Sequence, residues 1–212
     1  MKTDFPVYVL ICEGPNPRRK SILAEIQRVF GRDPIIVEGV HKDAPDFETR
    51  VAPHNDYIPK GMVACATAHR EIMRQIVDAR HPFALVLEDD ARLLGSAKDF
   101  ALTFAELNYF TWDWVQFKAP FDIDWDKFTP YPDAIKFRHT QRAAHLPITA
   151  VCYGVSQTGA EKILKRLSPI TQPNDHIIAE CQAAHGYMGP ILATCDFGAP
   201  SIILAAPETD PT

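Results

Sequence analysis

Short apolar segments alternate with helical segments along the chain, and this alternation restricts the possible folds more than any other feature. Residues 5–12 and 83–87 are continuous apolar runs, as in strands that are covered on both faces. Residues 18–30 and 61–79 carry apolar side chains at helical spacing. Further strands are predicted at 35–37, 114–117 and 150–155, and further helices at 98–107, 160–167 and 177–184. This order predicts an α/β fold, with a β-α-β unit at the start and a sheet between helices.

The segments between these elements are less regular. Residues 41–60 are polar and contain prolines, so a long surface loop is predicted there. Residues 118–142 are rich in Pro, Asp, Lys and aromatic side chains without clear periodicity, which predicts an irregular excursion with a short strand at 134–137. Weak strands are predicted at 190–193 and 201–204. We find no internal repeat and predict a single domain over residues 1–212.

Composition excludes several classes of protein. The net charge of −5 argues against a nucleic-acid-binding protein, which would usually present a basic surface. The five cysteines are widely spaced, odd in number and without a C-x-x-C pair, so we expect reduced thiols rather than a zinc knuckle or a disulfide framework. No apolar run is long enough for a transmembrane segment, and residues 1–6 lack a signal-peptide core. We therefore expect a cytoplasmic protein.

An acidic triplet follows the buried strand at 83–87. Ligands of open α/β sheets bind beyond the carboxyl ends of the strands, which is where Glu88, Asp89 and Asp90 would lie. Adjacent carboxylates repel each other unless a cation neutralises them, and hard oxygen ligands suit Mn²⁺ or Mg²⁺. In an extended segment Glu88 and Asp90 would face the same ion. The alternative is a solvated acidic turn, which is common at strand ends.

Four other residues are candidates for binding or catalysis. Arg18 and Arg19 follow the first strand at a helix start, where they would bind the anionic part of a nucleotide or lie in a solvated basic turn. Asp175 is either a general base for a hydroxyl group or the N-cap of the following helix. His69 lies on the apolar stripe of its helix, where a satisfied core histidine is the more common role.

The motifs of several enzyme classes are missing from the sequence. There is no G-x-G-x-x-G or Walker motif, so neither a dinucleotide-binding nor a P-loop fold is supported. There is also no G-x-S-x-G or H-E-x-x-H motif, which argues against serine hydrolases and zincins.

Taken in order, these segments resemble glycosyltransferase family 25, which includes bacterial lipopolysaccharide galactosyltransferases and collagen galactosyltransferase domains. The resemblance covers nearly the whole chain. Its blocks are the first strand with Pro17, Arg18 and Arg19; residues 61–69, similar to G-E-x-G-C-x-x-S-H; residues 85–91, similar to V-L-E-D-D-A; residues 153–164, similar to Y-x-x-S-x-x-G-A-x-x-L-L; Pro173 with Asp175; and Pro190 with residues 201–202.

The resemblance implies a GT-A-type (Rossmann-like), mostly parallel sheet that binds a nucleoside-diphosphate sugar, commonly UDP-galactose, together with a divalent metal ion. It also implies inversion at the anomeric carbon. On this basis we expect Glu88 and Asp90 to bind Mn²⁺ or Mg²⁺, and Arg18, Arg19, Asp89 and Gly61 to contact the donor. Asp175 and His69 are the catalytic candidates.

The expected acceptor is a carbohydrate or glycolipid such as lipopolysaccharide, which is compatible with peripheral contact at the inner membrane. Residues 118–142 would form the acceptor side, where Trp125, Phe128 and Tyr131 would stack on sugar rings.

The sequence departs from the family pattern around the expected donor site. Met62, Ala64 and Ala68 replace Glu, Gly and Ser of the family block, and Ile11 stands where Asn is usual. These departures leave a second hypothesis open, a non-catalytic protein that binds carbohydrate or a partner on the same scaffold. A nucleotidyltransferase is a further alternative, but it would normally have a glycine-rich loop after the first strand.

Overall fold

The apolar segments of the sequence form the strands of a mixed sheet. The computed structural model describes residues 5–118, 141–142, 149–181 and 185–195. The strands in these residues are β1 (Val7–Cys12), β2 (Ile35–Gly39), β3 (Phe83–Glu88), β4 (Ala91–Leu93), β5 (Trp114–Gln116), β6 (Gln141–Arg142), β7 (Cys152–Ser156), β8 (Gly186–Met188) and β9 (Ala193–Cys195). Seven of them form one sheet in the order β2-β1-β3-β7-β5-β8-β6, while β4 and β9 form a separate pair.

Most strands of the large sheet run in the same direction. β1 is parallel to β2 and to β3, and β5 is parallel to β8. β7 runs antiparallel to both β3 and β5, and β6 runs antiparallel to β8. Five strands therefore share one direction and two oppose it, so the mostly parallel Rossmann-like sheet predicted from the sequence is confirmed.

The described residues form six helices: α1 (Pro17–Phe30), α2 (Phe47–Arg50), α3 (Lys60–Asp78), α4 (Ala97–Leu107), α5 (Gln157–Arg166) and α6 (Asn174–Cys181). None of these helices has the length and apolarity that crossing a membrane would require.

The sheet is covered by helices on both faces. Side chains of β1 alternate between two buried clusters, with Tyr8 in one and Val9 in the other, as the two-residue period of a strand dictates. The Tyr8 cluster contains residues of α3, α5 and α6, and the Val9 cluster contains residues of α1 and α4. This arrangement explains why β1 and β3 are apolar throughout rather than alternating with polar residues.

Local sequence determines where the helices adjoining the central strands begin. Asn16 caps α1 by accepting a hydrogen bond from the Arg18 backbone N–H at 2.9 Å, with Pro17 in the first turn. The helix ends at Gly31, whose φ of 65° is the left-handed conformation that glycine adopts without strain. At the end of β7, Ser156 caps α5 by accepting from the Gly159 backbone N–H at 3.0 Å. Strand and helix are thus joined without an intervening loop.

Some sequence predictions were wrong at the level of short elements. The 41–60 loop contains the one-turn helix α2, and β4, β6 and β8 were not predicted. The helix predicted at 177–184 begins three residues earlier, at Asn174. The predicted strands at 134–137 and 201–204 and the aromatic residues Trp125, Phe128 and Tyr131 lie outside the described residues.

Candidate functional site

The carboxyl ends of three adjacent strands form a cleft. Cys12, Gly39 and Glu88 are the last residues of β1, β2 and β3. The cleft has a volume of about 640 Å³, including the part open to solvent. It is lined by Leu10, Cys12, Arg18, Gly39, Val40, Lys42, Gly61, Ala64, Cys65, Glu88, Asp89 and Asp90. Its position is where ligands of α/β sheets bind.

The acidic triplet lies at one side of this cleft, but not in the extended conformation expected from the sequence. β3 ends at Glu88, and Asp89 and Asp90 form a turn before β4 begins. The expectation that Glu88 and Asp90 share a face because they alternate in a strand was therefore wrong. Both side chains nevertheless line the cleft, because the turn leaves them beside each other at the strand end.

Asp89 is held by the loop that precedes α1. It accepts a hydrogen bond from Asn16 Nδ2 at 2.6 Å, and Arg18 Nη1 lies 3.5 Å from its other carboxylate oxygen. Asn16 Nδ2 also contacts the Cys12 carbonyl at 3.4 Å. Asp89 thus fixes the start of α1 against the end of β3, and it keeps the buried Arg18 guanidinium at the cleft.

Asp90 has a different environment from its neighbour. Its Oδ1 is buried and has no hydrogen-bond partner in the part of the chain that the structure describes. Burial raises the pKa of Asp90 from 3.8 to about 6, and the charge of Glu88 adds to this shift. Arg18 and Lys118 partly offset it. Lys118 is itself buried, with Nζ 3.4 Å from the Thr149 hydroxyl. A buried carboxylate without a partner is costly unless a cation approaches it.

Glu88 is oriented by two residues behind the cleft. Its Oε1 accepts from His69 Nε2 at 3.0 Å, and His69 Nδ1 lies 2.7 Å from the Tyr153 hydroxyl. Because a carboxylate only accepts, Nε2 carries a proton and donates it to Glu88, while Nδ1 and the Tyr153 hydroxyl share the second hydrogen bond. Burial raises the pKa of Tyr153 well above its usual value, so the hydroxyl keeps its proton. Trp114 stacks on the Tyr153 ring at 3.5 Å.

His69 is therefore a fully buried histidine with both ring nitrogens occupied, and it also contacts the acidic motif. The sequence left a core histidine and a residue of the site as alternative roles for His69, and in the structure His69 is buried and also contacts the acidic motif. His69 does not line the cleft.

Asp175 lies in the first turn of α6, near the same cleft. Its Oδ1 accepts from the His176 backbone N–H at 3.0 Å, and α6 begins at Asn174, so Asp175 is not the N-cap. The pKa of Cys65 is raised well above its usual value, mainly by burial. The charge of Glu88 raises it further, and the charges of Asp175 and Asp90 do so more weakly. The charges of all three carboxylates act on the Cys65 thiol, and Glu88 is the one whose contact with it is direct, at 3.7 Å.

The structure separates the two arginines that the sequence could not distinguish. Arg18 is 8% exposed and lines the cleft. Arg19 points away, where it forms an exposed ion pair with Glu38 at 2.7 Å. Gly61 lines the cleft in the first turn of α3.

Sequence reasoning missed three residues of this region: Asn16, Lys118 and Tyr153. Asn16 had a detectable signal, because Asn followed by Pro is typical of a helix N-cap. Lys118 and Tyr153 act through contacts between distant segments, which no local pattern reveals.

The family of the chain follows from its sequence. The model of glycosyltransferase family 25, described as an LPS biosynthesis protein, matches residues 17–178. The chain belongs to glycosyltransferase family 25. Membership implies glycosyltransferase activity in lipopolysaccharide biosynthesis, with a sugar donor and an acceptor as partners. The matched region contains every residue described above for the cleft and its surroundings except three, which precede it: Leu10, Cys12 and Asn16.

Comparison with solved structures supports the fold of this family 25 chain. The crystal structure of A197 from STIV aligns with a TM-score of 0.53 and 12% identity, covering 91% of this chain and 86% of that one. At this identity the similarity concerns the fold alone. No curated protein matches the sequence.

Proposed function

We propose that the protein is a metal-dependent, inverting glycosyltransferase. It would transfer a hexose, with galactose favoured, from a nucleoside-diphosphate sugar to a carbohydrate acceptor such as lipopolysaccharide. The observation that carries the proposal is the cleft at the ends of β1, β2 and β3, which combines a buried arginine with two carboxylates of the acidic motif. Family membership supports the transfer reaction itself.

The residues present fit a hard divalent cation. Glu88 and Asp90 offer carboxylate oxygens at one side of the cleft, and the unpartnered, buried Oδ1 of Asp90 is the group that most needs a positive charge. These two residues would hold Mn²⁺ or Mg²⁺. When bound, such an ion supplies positive charge beside the diphosphate leaving group. Asp89 supports the site indirectly, through Asn16 and Arg18.

The start of α1 is suited to the anionic part of the donor. Arg18 lies at the cleft in the first turn of α1, where the helix dipole favours negative charge. Its guanidinium can donate to two phosphate oxygens at once. Gly61 also lines the cleft, and it has no side chain that would occupy the space of a bound donor.

Asp175 is the proposed base. In an inverting displacement, a carboxylate accepts the proton of the acceptor hydroxyl while the bond from the anomeric carbon to the diphosphate breaks. Asp175 is half-buried, and its field reaches Cys65 at the cleft. His69 would act by orienting Glu88 rather than by contacting substrate.

The test is a screen of nucleotide sugars with lipopolysaccharide acceptors and Mn²⁺. We expect metal-dependent release of the nucleoside diphosphate, and loss of this activity in Asp90→Asn. Asp175→Ala is expected to keep nucleoside-diphosphate binding but to lose transfer, whereas His176→Ala, at the exposed neighbouring position, is the matched control and should retain it. An active Asp175→Ala variant would show that the base lies elsewhere.

The second candidate function is binding without transfer. Met62 and Ala64 stand where the family has Glu and Gly, and Ala64 lines the cleft. The same screen distinguishes the two functions. Metal-dependent binding of a nucleoside diphosphate without turnover of any donor would favour the non-catalytic protein. If no nucleoside diphosphate binds and no donor is turned over, the enzyme hypothesis is wrong.

A further inference from the structure

Three potential metal ligands of different chemistry converge behind the cleft. Cys65 and His69 are four residues apart on α3, so their side chains lie on the same face of the helix. Both reach the same oxygen of Glu88 at the end of β3. Cys65 Sγ lies 3.7 Å from Oε1, and His69 Nε2 lies 3.0 Å from it. The three ligand atoms all lie within 4.8 Å of one another.

These separations are close to those of a tetrahedral zinc site. With bond lengths of about 2.3 Å to sulfur and about 2.0–2.2 Å to nitrogen and oxygen, neighbouring ligand atoms of a tetrahedron lie about 3.4–3.6 Å apart. The sulfur–oxygen separation of 3.7 Å already agrees, and the nitrogen–oxygen separation of 3.0 Å needs to lengthen by only about half an ångström. Side-chain rotation is sufficient for such a change.

We propose that Cys65, His69 and Glu88 form a metal site for a Zn²⁺-class ion, which shares Glu88 with the all-oxygen site of Glu88 and Asp90 but has a different ligand set. A thiolate, an imidazole and one carboxylate form a borderline-soft ligand set, which favours Zn²⁺ or Co²⁺ over Mg²⁺ or Mn²⁺. Cys65 and Glu88 also line the cleft, so water or a bound ligand can take the fourth position. The site does not depend on the proposed transfer reaction.

The residues behind His69 are suited to this role. A metal-binding histidine usually donates its second ring N–H to a fixed acceptor. Here Nδ1 lies 2.7 Å from the Tyr153 hydroxyl, which is held by Trp114 stacking. When an ion binds Nε2, the ring proton moves to Nδ1 and the Tyr153 hydroxyl rotates to accept it. The Cys65 thiol releases its proton to solvent as the sulfur binds.

The test uses Co²⁺, whose thiolate charge-transfer band and tetrahedral visible bands report its ligands. Titration of the intact chain is expected to give these bands with one ion per chain. Cys65→Ser should abolish the charge-transfer band, whereas Cys12→Ser, which changes another thiol of the cleft, should keep it. Absence of the band in the unaltered protein, or its persistence in Cys65→Ser, would overturn the proposal.

Three further measurements separate this site from the carboxylates and from a folding effect. Asp90→Asn is expected to keep the cobalt–thiolate band, and loss of the band would mean that the ion belongs to the acidic motif. Tyr153→Phe is expected to weaken cobalt affinity about 10- to 100-fold. Zinc X-ray absorption on the unaltered protein must show one sulfur at about 2.3 Å. A spectrum with nitrogen and oxygen neighbours only would contradict the site without relying on any variant.

Discussion

Replacing Asp90 with asparagine should make the metal-free protein more stable, although it removes a proposed metal ligand. Burial raises the pKa of Asp90 from 3.8 to about 6, so the folded protein holds this carboxyl proton more tightly than the unfolded chain does. The carboxyl group therefore favours folding least when it is ionised. Its unfavourable contribution is absent below pH 3.8, grows as the pH rises towards 6, and is complete above that value.

The magnitude follows from the two pKa values. Their difference corresponds to a cost of about 3 kcal/mol at pH 7.5 and about half of that at pH 5. Asparagine has the same shape but no charge, so Asp90→Asn should recover most of this free energy at pH 7.5 and less at pH 5. The buried Oδ1 position stays without a hydrogen-bond partner in both proteins, so the free-energy cost of that missing hydrogen bond cancels in the comparison.

Urea unfolding in the presence of a chelator measures the stability gain of Asp90→Asn at pH 7.5 and at pH 5. Asp89→Asn is the matched control, because the adjacent carboxylate is held by Asn16 and Arg18. That variant is expected to lose about 1–3 kcal/mol, since it removes hydrogen bonds to a charged group. If Asp90→Asn is destabilised as much as Asp89→Asn at both pH values, Asp90 is satisfied in the folded protein, and the reasoning that its ionised carboxylate lacks a compensating charge is wrong.

Two other pairs of variants test the site and the fold. Arg18→Ala should weaken binding of a nucleoside diphosphate about 10- to 100-fold in calorimetric titration, because a charge-assisted hydrogen bond is worth about 1.5–3 kcal/mol, whereas Arg19→Ala should change it less than about twofold. Equal effects would contradict the assignment of Arg18. Gly159→Ala should cost about 3 kcal/mol or more in urea unfolding, because its Cβ would lie 2.1 Å from the Asp113 carbonyl oxygen. Gly39→Ala, whose nearest contact is at 3.6 Å, should cost less than about 1 kcal/mol.

The central part of the fold could be predicted because its segments are long and strongly patterned. β1 and β3 are apolar throughout, and α1 and α3 carry regular apolar stripes, so each element was identified with errors of one or two residues at its ends. β4 and β8 have three residues each and, unlike the equally short β5, which was predicted, they contain no β-branched residue. Such strands form only because a partner strand is already in place.

The candidate site was predictable to the extent that it follows from strand ends. The rule that ligands bind beyond the carboxyl ends of strands led to Glu88 and Asp90, which both line the cleft. It did not reveal that Asp89 faces Asn16 and Arg18 while Asp90 Oδ1 has no hydrogen-bond partner among the described residues, because that difference arises from the turn after β3. The two neighbouring carboxylates are equivalent in the sequence and have different environments in the structure.

The most direct test of the account is a crystal structure of the protein with Mn²⁺ and a nucleoside diphosphate. Anomalous scattering at the manganese edge locates the ion independently of the protein coordinates. The account predicts a single anomalous peak between the carboxylates of Glu88 and Asp90, with the diphosphate beside Arg18 at the start of α1. A peak away from these two carboxylates, or a diphosphate bound outside the cleft at the ends of β1, β2 and β3, would contradict it.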